Sequence, residues 1–292
     1  MNVEILNLYS NEKEDSSVLQ SAHGQSFLIS TGDEKILFDL GMKSDILLNN
    51  MTELQISPDS VTKLIFSHGH IDHTGGLPGF LDKRTTKEKL PLFAHTDFQE
   101  KKIVKLAFIK KPLGFPDLTQ EQKEKLDFRL SKGPQQIVPC LITTGEIKER
   151  NEKDGVEPNA LHFENGKLAV DPIVDDISLI LSTKKGEVII AGCAHSGILN
   201  ICKYVKKTSN QKIIAIIGGT HMVRYTEEEV MHVADQFENV YDFPDLYLNH
   251  CTDKLPIPFV KKTKAIDILK KRFGKEKVKH CYVGTKINFE CE

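Results

Sequence analysis

The sequence predicts an α/β fold, a pseudo-symmetric pair of mixed sheets covered by helices with a site along the seam between them. Three observations carry this. Short apolar runs of strand length recur along the chain and end in turn residues. Several are followed by stretches with helical spacing of apolar residues. Six of them deliver a histidine or an aspartate at the same end, where open α/β sheets bind ligands.

The first half reads strand, strand, strand, helix, strand. VEILNLY, QSFLIST and KILFDLG are separated by polar or Gly-containing turns. Lys43–Leu54 places Ile46, Leu47 and Met51 on one helical face, and Val61–Phe66 is a short strand. A second half starts at Ser178 with a hairpin, SLILSTKKGEVIIAG, turning at Lys-Lys-Gly. Helix Gly197–Lys207, strand KIIAII and helix Thr226–Asn239 follow; Thr226 with Glu229 makes a capping box, and Val230, Val233, Ala234 and Phe237 form an apolar face. Strand DLYLNH, helix Phe259–Phe273 closed by Gly274 and a last strand around KINF complete the chain.

Residues Ser67–Gly76 read SHGHIDHTGG, directly after the Val61–Phe66 strand. Three imidazoles and a carboxylate within His68–His73 suit a loop that holds a cation. Histidines at i and i+2 can grip one divalent metal from an extended loop, and the adjoining Asp-His pair can grip a second. Nitrogen and carboxylate donors fit Zn²⁺, and also Mn or Fe. The other apolar runs stop at Asp39, His95, His195, His221 and His250. Of eleven histidines, His162, His232 and His280 lie away from such ends and read as ordinary; His23 precedes SFLIS.

The chain has 292 residues, 39% hydrophobic and 27% charged, enough for a sizeable core. A net charge of −2 gives no reason to expect nucleic acid or an anionic membrane. The first residues show neither a basic n-region nor an apolar h-region, and no run approaches the ~18 apolar residues of a membrane span. The six cysteines (140, 193, 202, 251, 281 and 291) form no C-x-x-C pair, so they read as reduced thiols of a cytoplasmic protein. Cys193 and Cys251 sit beside candidate ligands; the other four read as small buried hydrophobes. Nothing in the sequence indicates the oligomeric state.

Between the halves, residues 81–172 read as an insertion in a single domain spanning 1–292. Residues 82–132 carry thirteen Lys/Arg against eight Asp/Glu. Such a stretch is too long for a structureless loop, so helices are expected in it. It reads as a solvated surface or as a cationic cover that helps hold an anionic substrate.

HGQSFLI, FDLG, SHGHIDHTGGLPGF, AHTD, TTGEI, AGCAHSGILN, IGGTHM, NHCTD and the terminal FGKEKVKHCYVGTKINF occur in an order that resembles the metallo-β-lactamase superfamily. Within it they are similar to the subgroup of 7,8-dihydropterin-6-methyl-4-(β-D-ribofuranosyl)aminobenzene 5′-phosphate synthase. The resemblance spans almost the whole chain. It implies a four-layer αβ/βα sandwich with metals at the sheet ends. It also implies a metal-dependent enzyme acting on a phosphorylated, pterin-like small molecule, either a hydrolase or a pyrophosphate-releasing transferase. The alternative is a metal-dependent hydrolase of another ester, lactone or phosphodiester. Three features depart from the subgroup: Asp253 stands where a glycine usually follows HCT, Lys-Glu-Arg follows TTGEI, and the lysine-rich segment is this chain's own.

Two divalent ions are expected. His68 and His70 are candidates for one, with His195 as third ligand or Cys193 in its place. Asp72 and His73 are candidates for the other, completed by His250. His221 is either a ligand or a free imidazole that positions substrate or shuttles a proton, and with Asp72 it is the candidate catalytic group. Asp39 is expected to orient a ligand imidazole from behind. His95 reads equally as part of the ligand shell or as structural, and His23 as facing substrate or packing.

Overall fold

The computed structural model describes residues 1–106, 109–255 and 262–291. In chain order its elements begin β1 (Asn2–Tyr9), β2 (Ser26–Thr31), β3 (Glu34–Phe38), α1 (Ser44–Glu53), β4 (Lys63–Ile65), α2 (Ile71–Thr74), α3 (Leu77–Lys83) and β5 (Leu90–Ala94). The middle of the chain gives β6 (Lys102–Leu106), β7 (Ile109–Pro112), α4 (Gln120–Glu124), β8 (Leu126–Leu130), β9 (Gln136–Val138), β10 (Leu141–Thr143), β11 (Ala160–Glu164) and β12 (Lys167–Val170). The second half follows as β13 (Leu179–Thr183), β14 (Gly186–Ala191), α5 (Ile198–Thr208), β15 (Ile213–Gly218), α6 (Glu227–Asn239), β16 (Asp245–Leu248), α7 (Ala265–Phe273), β17 (Val278–His280) and β18 (Lys286–Glu290).

Two seven-stranded sheets form the body, ordered β18-β1-β2-β3-β4-β5-β8 and β17-β16-β15-β14-β13-β10-β9. Each is mixed. The β3-β4-β5-β8 run of the first and the β14-β15-β16-β17 run of the second are parallel, and the remaining pairs are antiparallel. The apolar runs of β5, β14 and β15 follow from burial on both faces. In β14, Val188 and Ile190 face the layer between the sheets, whereas Ile189 and Ala191 face the layer beneath α5, α6 and α7. In β3, Ile36 and Phe38 join the inter-sheet layer and Leu37 packs under α1 and α3. Three apolar layers thus separate helices, sheet, sheet and helices, the expected sandwich.

The capping box at Thr226 and Glu229 is formed, and Val230, Val233, Ala234 and Phe237 are buried as their spacing predicts. Helix α7 begins at Ala265, later than expected; residues 259–261 of the expected helix lie outside the described residues.

The lysine-rich segment departs from expectation. It was expected to be helical, yet its only helix among the described residues, α4, has five residues. Its regular structure is mainly strand, distributed over three sheets. β5 and β8 extend the first sheet, β9 and β10 extend the second, and β12-β11-β6-β7 form a separate four-stranded sheet. The strands of that sheet are short and half-exposed, as in β6 (KIVKL) and β12 (KLAV), so their alternation carries little hydrophobic contrast. Lys110 and Lys111 lie in the edge strand β7 (IKKP), which is exposed at every position.

Candidate metal centre

The carboxyl ends of β3, β4, β14, β15 and β16 converge, and Asp39, the His68–His73 loop, Cys193 with His195, His221 and His250 leave them. Asp39, Ala194, His221 and His250 have left-handed backbone, φ 62°, 54°, 52° and 47°. Each costs a non-glycine residue roughly 1 kcal/mol or more, and such strain gathers where geometry serves function. The turns aim side chains that an ordinary strand exit would direct elsewhere.

Two donor sets result. In the first, one donor atom from each of His68, His70 and His195 lies within 4.8 Å of the others. Their rings stand nearly perpendicular, with centroids 4.5–5.0 Å apart. His195 Nδ1 donates to the Gly155 carbonyl at 2.8 Å, which leaves Nε2 with its lone pair. The Nε2 atoms of His68, His70 and His195 are all buried without a hydrogen-bond partner. Such an orphan ordinarily costs about 1–3 kcal/mol, so three turned toward one another suit a shared cation. Burial pushes all three imidazoles well below the ordinary histidine range, and positive neighbours (Lys102 in the case of His70) push them further. They are neutral, as ligands must be.

The second set is Asp72, His73 and His250. His250 Nε2 and His73 Nε2 lie 3.3 and 3.8 Å from Asp72 Oδ2, and 3.2 Å from each other. Asp39 Oδ2 accepts from His73 Nδ1 at 2.7 Å, the bond expected of it, and also from Ser67 Oγ at 2.8 Å. Ser67 Oγ in turn lies 2.9 Å from His68 Nδ1, so one carboxylate and one hydroxyl back both sets. His250 Nδ1 donates to Asn11 Oδ1 at 2.9 Å, which directs Nε2 inward. Burial disfavours charge on His73, but Asp39 and Asp72 outweigh it and raise its pKa to about 9. Burial likewise opposes charge on Asp72, yet His73, His23 and His250 hold its carboxyl well below the usual range.

Cys193 stands between the sets. Its thiol lies 3.1 Å from His73 Nε2 and groups with His68 and His73, and separately with His221 and Cys251. His221 Nε2 bonds Glu157 Oε1 at 2.9 Å. Burial opposes charge on His221, but bonds to Cys251 and Glu157 outweigh it and raise its pKa to about 10. His23 contacts Asp72 at 3.0 Å and packs against His250 with the rings tilted by 40° and centroids 4.9 Å apart. His95 stands apart: its Nδ1 accepts from the Asp97 N–H at 3.1 Å and it joins none of the close donor groups. All six cysteines are free thiols and buried.

Sequence reasoning missed Asn11, Ser67, the Gly155 carbonyl and Glu157. Ser67 could have been found, since it opens the histidine loop. Asn11 lies in a polar stretch with no pattern, and Gly155 acts through its backbone.

The donors open into a cavity of about 310 Å³. His70, Asp72, His195, His221 and His250 face it from one side, and Val104, Leu106, Lys111, Pro112 and Leu113 of the four-stranded sheet and its exit face it from the other. An apolar wall with few polar groups is the usual form of a small-molecule site.

A family model described as the metallo-beta-lactamase superfamily matches residues 22–196. The chain belongs to that superfamily. It is similar to the 7,8-dihydropterin-6-methyl-4-(beta-D-ribofuranosyl)-aminobenzene-5′-phosphate synthase of Methanocaldococcus jannaschii, with 35% identity over 86% of this chain and 88% of the relative. A second relative in that organism, the uncharacterized protein MJ0448, is 31% identical over 79% of this chain and 84% of its own. Among solved structures, Tm1679, a metal-dependent hydrolase of the beta-lactamase superfamily, shares the fold with a TM-score of 0.79, covering 98% of each chain at 24% identity. As a member of this superfamily related to a synthase, the chain is an enzyme. No helix among the described residues is long and apolar enough to cross a membrane.

Proposed function

We propose that this enzyme depends on two divalent metal ions and makes the compound for which the Methanocaldococcus jannaschii synthase is named, by joining a dihydropterin methylene to a phosphorylated ribofuranosylaminobenzene. The observation that carries the reading is the pairing of the two donor sets with one apolar cavity, in a chain 35% identical to that synthase. His68, His70 and His195 would hold one ion, and Asp72, His73 and His250 the other. Bound there, zinc (or manganese or iron) would supply positive charge to a diphosphate on the pterin methylene.

The remaining steps belong to the chain. Val104, Leu106 and Pro112 offer an apolar surface to a flat heterocycle, and Lys111 offers the cation in that wall for a phosphate. The aminobenzene attacks the methylene carbon, a carbon–carbon or carbon–nitrogen bond forms, and the carbon–oxygen bond breaks. The electron pair leaves with pyrophosphate, and the aminobenzene releases one proton. His221, anchored by Glu157 and protonated below about pH 10, faces the cavity as a fixed positive charge that positions the diphosphate, and the released proton passes to water.

The test is incubation of the metal-loaded enzyme with a dihydropterin methyl diphosphate, with and without the ribofuranosylaminobenzene 5′-phosphate. The proposal expects pyrophosphate and the coupled product only when both are present. Hydrolysis of the diphosphate regardless of the second substrate would make the protein a hydrolase instead.

A further inference from the structure

Two consecutive buried aspartates, Asp175 and Asp176, lie just before β13 and belong to neither donor set. Asp175 Oδ2 accepts from the Gly69 N–H at 2.8 Å, and Gly69 is the residue between His68 and His70. Asp176 Oδ2 accepts from the Ser196 N–H at 2.8 Å, and Ser196 follows His195. The Ile177 N–H donates to the Ser67 carbonyl at 2.8 Å, so the same segment also holds the loop on the other side of His68. Gly69 itself admits no side chain, because a Cβ there would stand 1.9 Å from the Phe98 carbonyl oxygen.

We propose that Asp175 and Asp176 are positioning residues that clamp the two loops of the His68, His70 and His195 set and fix the spacing of its three imidazoles. The proposal rests on the reading of those histidines as metal ligands. They come from loops 125 residues or more apart in sequence. Fixing the peptide units beside both loops from one rigid dipeptide removes freedom that metal binding would otherwise have to restrain. Asp175 sits in a turn that the Asp176 N–H closes on the Ile173 carbonyl at 3.3 Å, and the chain leaving that turn lets one dipeptide reach both loops.

The clamp is anchored in turn. The buried Lys102 ammonium forms an ion pair with Asp175 and lies 3.2 Å from Asp171. Lys102 opens β6, and Val104 and Leu106 of that strand line the cavity. A buried lysine between two buried carboxylates is otherwise a costly arrangement, and here it joins the cavity wall to the loop that carries His68 and His70.

The experiment uses the full chain stripped with a chelator, as wild type, Asp175→Ala and Asp176→Ala. Zinc affinity is read by competition with a chromophoric chelator, and ligand geometry by the visible absorption of the cobalt-loaded protein. The thermal stability of the stripped proteins is measured alongside. The clamp predicts that each substitution weakens zinc binding about 10- to 100-fold and changes the cobalt spectrum. Folded variants with wild-type zinc affinity and cobalt spectrum, whatever their stability, would overturn it. Should an alanine variant fail to fold, Asp175→Glu and Asp176→Glu keep the acceptor but lengthen its arm, and an unaltered cobalt spectrum in both would again overturn the clamp. If the wild type takes up no zinc, the metal reading falls and the clamp with it. If the wild type binds zinc and the variants match it, the clamp falls alone.

Discussion

The two donor sets differ more in charge than in geometry. His68, His70 and His195 are neutral, buried, and turn unpartnered nitrogens toward one another. Asp72, His73 and His250 bond among themselves, with His73 protonated by the pull of two carboxylates. One set is held from behind by a backbone carbonyl and a tandem of aspartates, the other by Asp39 and Asn11. The comparison teaches that one loop can serve two donor sets of different character, because burial keeps one set neutral while Asp39 and Asp72 together hold the proton of the other.

The largest effect should come from breaking the neutral set. His70→Ala is expected to lose the metal of that set and to reduce activity more than the ~100-fold that loss of a supporting residue costs at most. Metal analysis beside turnover checks this. Asp39→Asn perturbs the charged set from behind and should weaken binding there by about 10- to 100-fold, with the fold intact by circular dichroism.

A smaller, graded difference lies in pH. His73 keeps its proton up to about pH 9, and a metal must displace it. Affinity at the charged set should therefore rise with pH up to about 9 and fall below it, roughly tenfold per unit. The neutral set, whose histidines titrate well below 6.5, should hold its affinity constant over the same range. Zinc calorimetry in buffers of different ionisation enthalpy separates the two by the proton released. Equal proton release at both sites would contradict the comparison.

The smallest effect concerns Asp253, in the turn that follows His250. Burial raises its carboxyl from 3.8 to about 6. Because the folded value lies above the unfolded one, the neutral acid's contribution to stability is complete below about pH 4 and lost as pH rises through 6. Asp253→Asn should accordingly stabilise the protein by about 1–3 kcal/mol at pH 8 and by little at pH 4. Thermal unfolding at the two pH values decides it.

What could be read from the chain alone follows the same physics. β3, β4, β14, β15 and β16 are buried on both faces, so their apolar runs stand out and the ligands beyond them are marked by position. The four-stranded sheet gave no such signal. Lys102 and Lys111 look alike in sequence, yet one is buried in an ion pair and the other lines the cavity. The lysine density of this segment suggests solvated helices, whereas the structure places Lys110 and Lys111 on the fully exposed strand β7. Asp175 and Asp176 left a faint mark, two acids directly before an apolar strand, which burial alone turns into a structural statement. His95 shows the limit of position as a guide: it stands at a strand end like the others, but its ring turns to the Asp97 backbone.

The central claim is two metal ions per chain, held by separate sets. The most direct measurement is the zinc stoichiometry of the reconstituted wild type beside His195→Ala and His250→Ala. The account predicts two ions in the wild type and one in each variant, with the ion left in His195→Ala released on acidification and the ion left in His250→Ala retained. A single ion in the wild type, or loss of both ions on either substitution, would contradict it.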